Sequence, residues 1–139
     1  MLTSGILIES FMAGQSEMDL KEITMNERRA KVIDISKKEK KMFEGGGYDQ
    51  TAVSKRDEGA DLTVHLGTIS PGKTHDWHDH EQDEVMYIVR GSGKYLLKDG
   101  EMAYQAGNFV FMPKKTSHKN VVTSQEDVKI IAIFNPAQF

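Results

Sequence analysis

The chain has 139 residues, 38% apolar and 28% charged, which suits one compact domain and leaves no room for a second full core. It contains no cysteine, so disulfides, thiolate metal sites and thiol nucleophiles are excluded, and any metal must be held by imidazole and carboxylate. Eighteen Lys and Arg against 21 Asp and Glu give a net charge of -3, and Glu39 interrupts the basic run from Lys37 to Lys41, so nucleic acid is not an expected partner.

No stretch approaches the roughly 18 apolar residues of a membrane span. The apolar start around Leu2 lacks the basic flank and cleavage site of a secretory signal. The expectation is a cytoplasmic protein with no membrane partner. Met12, Met18 and Met25 are alternative starts. Residues 1–29 read as an N-terminal extension, with a short amphipathic helix expected over 17–29, and residues 30–139 as the single domain.

From Ala30 onward, short runs of Val, Ile, Leu, Tyr and Phe alternate with Gly, Pro, Asn and Asp, the texture of many short strands. Strands are predicted over 31–35, 48–53, 62–69, 74–80, 84–90, 93–98, 102–105, 108–112, 118–123 and 128–135. Asp99-Gly100 marks a two-residue hairpin and Pro71-Gly72 a tight turn. No helical run of ten residues interrupts positions 48–139, which excludes a parallel sheet with crossover helices, and no phosphate-binding glycine loop is present. The fold class is all-β.

Three of the five histidines and one glutamate form a chemical pattern. Residues two apart in a strand project from one face, so His78 and His80 can share an ion while Asp79 and Trp77 face away. A turn at 81–83 returns Glu84 on the neighbouring strand, opposite the pair, with a hard anionic oxygen. His118, on a later strand, supplies a third imidazole. By the same alternation His75 lies on the opposite face from His78, and it is expected, like His65, behind the ligands or in solvent. Met86 and Ile88 follow Glu84 at the two-residue period and are expected to line a largely apolar cavity, together with residues of the strand at Phe109 to Met112.

Gly72, His78, His80, Glu84 and Gly91 fall at the spacing G-x5-H-x-H-x3-E-x6-G, and Gly107, Pro113 and His118 at part of G-x5-P-x-G-x2-H-x3-N. In both the sequence resembles the cupin superfamily, over residues 62–135. Lys115 stands where the second motif usually has glycine, and Val122 where it usually has asparagine. The resemblance implies an antiparallel jelly-roll β-barrel of six to eight strands, with His78, His80, Glu84 and His118 as metal ligands.

Three neutral imidazoles and one carboxylate leave a divalent ion open to water or substrate, and manganese, iron, nickel, zinc and copper all accept such donors. The expectation is one divalent transition metal per chain, acting on a small oxygen-bearing metabolite with oxygenase or isomerase type chemistry. The alternative is a cupin that binds or senses a small molecule without turnover. No catalytic base is evident. A homodimer is expected, formed through the extension and the strand at 31–35.

Overall fold

The structure, a computed structural model, describes residues 28–139. The helix expected over 17–29 falls outside these residues apart from Arg28 and Arg29, which lie in a turn and a bend.

Ten strands are present: β1 (Lys41–Met42), β2 (Tyr48–Val53), β3 (Thr63–Ile69), β4 (Thr74–His78), β5 (Asp83–Arg90), β6 (Ser92–Leu97), β7 (Gly100–Gln105), β8 (Phe109–Met112), β9 (His118–Val122) and β10 (Val128–Asn135). They form a six-stranded sheet ordered β1-β2-β3-β10-β5-β8 and a four-stranded sheet ordered β4-β9-β6-β7. Every strand pair is antiparallel. A four-residue helix, α1 (Lys55–Glu58), lies between β2 and β3, capped by the Ser54 side chain and ended by Gly59 in the left-handed conformation. Among the described residues no helix is long and apolar enough to cross a membrane.

The alternation that signals strands also sets which face is buried. In β5, Glu84, Met86 and Ile88 are buried and the residues between them exposed; in β10 Val128, Ile130, Ala132 and Phe134 do the same. Apart from Glu84, these residues make the core between the sheets with Tyr95, Tyr104 and Met112. At Pro71-Gly72 the Lys73 N–H donates to the Ser70 carbonyl while Gly72 takes φ 84°, the conformation that a proline-glycine turn of type II requires. Gly91 combines φ 83° with close approach: a Cβ there would lie 2.6 Å from the Asp127 carbonyl oxygen.

Three local expectations change. Residues 31–35 form no strand; a 3-10 turn at Ile35–Lys37 takes their place, begun by the Asp34 carboxylate accepting from the Ser36 N–H. The turn covers the outer face of β2, where the buried Gln50 donates its side-chain amide to the Ile35 and Lys38 carbonyls. An edge strand at 31–35 is therefore not available for pairing with a second copy. The β6–β7 hairpin turns one residue earlier than expected, on Lys98 and Asp99, because Leu97 pairs with Gly100. The strand expected over 74–80 ends at His78.

Candidate metal centre and its cavity

His78 on β4 and His118 on β9 are register partners in the small sheet. His80 follows in the β4–β5 loop, held by the Lys115 N–H donating to its carbonyl at 2.7 Å, and Glu84 enters from the large sheet on β5. One ring nitrogen from each of His78, His80 and His118 lies within 4.8 Å of the others. Glu84 Oε1 is 3.2 Å from His80 Nε2 and 3.9 Å from His118 Nε2. All four residues singled out by the sequence thus converge on one point between the sheets.

Hydrogen bonds behind the rings orient them. Nδ1 of His78 lies 2.7 Å from the Asp76 carbonyl oxygen, and Nδ1 of His118 lies 2.7 Å from that of Thr116. A carbonyl only accepts, so in each neutral ring the proton sits on Nδ1 and the lone pair on Nε2. Burial holds the pKa of both rings below the ordinary histidine value, despite the carbonyl bonds that favour the charged form. They are neutral at neutral pH, the form that binds metal. Burial works the same way on His80, but the adjacent Glu84 carboxylate more than offsets it, and its pKa lies above the ordinary value.

Glu84 Oε1 is buried and has no hydrogen-bond partner, and neither has His80 Nδ1. A buried polar atom left unpaired costs about 1–3 kcal/mol, more when charged. A carboxylate oxygen in that state, close to the His80 and His118 rings and joined by the ring of His78, belongs to a donor set of the kind a divalent transition ion satisfies. The residues present therefore fit such an ion.

The four donors lie in a cavity of about 310 Å3 between the sheets. Met86 lines it as expected and accepts a hydrogen bond at Sδ from the Tyr95 hydroxyl at 2.9 Å. Ile88 does not: it is fully buried in the core beyond the cavity floor. The β8 strand is not a cavity wall either, since Phe109 and Phe111 point outward to solvent and Met112 packs in the core.

Two histidines expected elsewhere also face the cavity. A bulge between His75 and His78 fits three residue steps of β4 against two of β9, so both rings point inward. His75 is stacked between Phe43 and His78, with centroid separations of 3.7 and 3.8 Å. His65 is buried on β3, with Nδ1 3.1 Å from the Thr51 hydroxyl and Nε2 2.8 Å from Gln138 Oε1. Asp49, which sequence reasoning did not single out, lines the same cavity from β2. The available signal was a charged residue in a six-residue strand with no apolar face to set its orientation. Trp77 is about half exposed and faces away as expected.

Residues 65–134 match the family model described as Cupin domain. Over 61 residues the chain is 36% identical to acireductone dioxygenase of Exiguobacterium sibiricum, an alignment covering 40% of this chain and 33% of that protein. Over 92 residues it is 23% identical to L-ectoine synthase of Nocardia farcinica, covering 66% of this chain and 70% of that one. The chain thus spans about a third of the length of the dioxygenase it matches. In structure it is similar to a protein of Thermotoga maritima described as a predicted oxalate decarboxylase, with TM-score 0.67 and 20% identity over 76% of this chain and 99% of that one, a likeness of fold.

Proposed function

Since the chain belongs to the cupin domain family, whose model takes in residues 65–134, we propose that it is a metal-dependent enzyme acting on a small oxygen-bearing metabolite. His78, His80, Glu84 and His118 hold one divalent transition ion. The observation that carries this reading is the buried Oε1 of Glu84, without a hydrogen bond, among three imidazoles.

When bound, the ion supplies a positive centre that polarises a carbonyl or enolate oxygen and, if redox-active, supports dioxygen chemistry. The chain's own contribution is to fix the imidazoles through the Asp76 and Thr116 carbonyls and to exclude water with Phe134, Ile130 and Ala132. The volume, with a mostly apolar lining around the four donors, suits a small organic metabolite. The name acireductone dioxygenase, borne by a relative, points to an enediol beside a carbonyl as substrate class, with oxygenase or isomerase chemistry.

Metal analysis of the purified protein, followed by oxygen uptake on a panel of diketones, reductones and catechols, tests the reading. Uptake that disappears in His80→Ala supports an oxygenase. Metal binding with no turnover of any panel member, by uptake or isomerisation, favours the alternative of a binding or sensing protein.

The reading includes a homodimer. The support is an apolar outer face on the large sheet, where Tyr87 of β5, Phe109 and Phe111 of β8, and Ile131 and Ile133 of β10 are exposed.

A further inference from the structure

A proton-transfer reaction on an oxygen-bearing substrate needs a base that is not itself tied up, and most titratable groups of the cavity are. His78, His80, Glu84 and His118 make the metal centre. His65 is engaged at both nitrogens: Gln138 Oε1 accepts from Nε2, so Nδ1 accepts from the Thr51 hydroxyl. His75 is stacked between two rings, and burial with the neighbouring imidazoles pushes its pKa down to about 3. The Tyr95 hydroxyl is fully buried and donates to Met86, and Lys41 at the rim is a cation.

Asp49 is different. Its carboxylate is half-buried, faces the cavity and, among the described residues, makes no hydrogen bond or ion pair. Its register partner on β3 is Gly67, where a Cβ would come within 3.0 Å of Asp49 Oδ1. A glycine at that point leaves the carboxylate its place inside the barrel. Burial raises its pKa from the ordinary 3.8 to about 6, with nearby His65 working against this and Glu84 adding to it. A carboxylate in that range is matched to taking and returning a proton near neutral pH.

We propose that Asp49 is the catalytic base, removing a proton from the carbon next to the carbonyl of a small α-hydroxycarbonyl substrate. This rests on the reading of the metal centre as the substrate site. The C–H bond breaks, its proton forms the O–H bond of the Asp49 carboxylic acid, and its electron pair moves into the enediolate with the charge on the former carbonyl oxygen. Return of that proton to the former carbonyl carbon, with the hydroxyl proton passing to the former carbonyl oxygen, gives the isomer, with no net oxidation and no co-reactant.

The test uses zinc-loaded protein and hydroxyacetone in D2O, with exchange of the substrate's C–H protons followed by proton NMR. Wild type exchanges them at a rate that rises with pH and levels off above the midpoint at which the Asp49 carboxyl carbon-13 resonance titrates, a midpoint raised above the ordinary carboxylate value by burial. Asp49→Asn lowers the rate by at least about 100-fold. Its zinc stoichiometry by calorimetry and its hydroxyacetone binding by saturation-transfer NMR stay as in wild type. Exchange at the wild-type rate in Asp49→Asn, or no exchange by wild type carrying zinc, overturns the role of Asp49. Failure of wild type to take up zinc overturns instead the metal centre on which it rests, and calorimetry reports that separately.

Discussion

His78 and His118 face each other as register partners across β4 and β9, their ring centroids 4.2 Å apart. Antiparallel pairing alone brings them together, before Glu84 or any ion contributes. Because the same sheet contacts build the fold and the site, a bound ion stabilises the barrel. At a free metal concentration 100 times its dissociation constant, the gain is about 2.7 kcal/mol, or roughly 10 °C in Tm for a domain of this size. Thermal melting with and without a chelator checks this. In His118→Ala the gap between the two curves should shrink to about half or less.

The turn before β9 carries a non-glycine residue in the left-handed region: Lys115 has φ 60°. Its N–H donates to the His80 carbonyl, so the turn that a glycine usually makes is kept, at the steric cost of a Cβ. Lys115→Gly should raise stability by about 0.5–1 kcal/mol, measured by urea denaturation. The exposed ion pair it removes, Lys115 with Glu81 at 3.5 Å, contributes little.

Asp49 gives a pH dependence of definite sign. Its pKa is about 6 in the folded protein against the ordinary 3.8, so burial opposes its ionisation. The stability it allows is full below about pH 4 and is lost as pH rises through about 6. In the chelator-treated protein Asp49→Asn should match wild type near pH 4. Above pH 6 it should be more stable by about 1–3 kcal/mol, measured by denaturation across that range.

The outer face of the large sheet predicts self-association. Phe109 and Phe111, 73% and 58% exposed, are the apolar groups most costly to leave in water there. Light scattering should give twice the chain mass for wild type and the chain mass for the Phe109→Glu, Phe111→Glu double variant. A monomeric wild type contradicts the dimer.

The parts of this molecule that sequence makes visible are those where one face is buried and the other wet. β5 is such a strand: Glu84 inherits its direction from the alternation of Met86 and Ile88 against Val85 and Tyr87. His78, His80 and His118 were legible because imidazoles at these spacings are rare without a shared task. His75 was not, because a bulge adds one residue to β4 and reverses the parity on which the expectation rested. Ile88 keeps the correct face but lies deeper than the cavity, a distinction of depth along β5 that alternation does not encode. Asp49 was hidden for another reason. Its strand is covered on both sides, Gln50 by the 3-10 turn and Asp49 by the cavity, so no contrast of polarity marks the inner face.

On the proposed reading, three imidazoles and the Glu84 carboxylate hold one divalent ion. Calorimetric titration of the chelator-treated protein with manganese, nickel and zinc tests it most directly, in wild type and in Glu84→Gln and His118→Ala. One ion per wild-type chain is expected, with affinity lowered by at least about tenfold in each variant. No uptake by wild type, or uptake that neither substitution weakens, would contradict it.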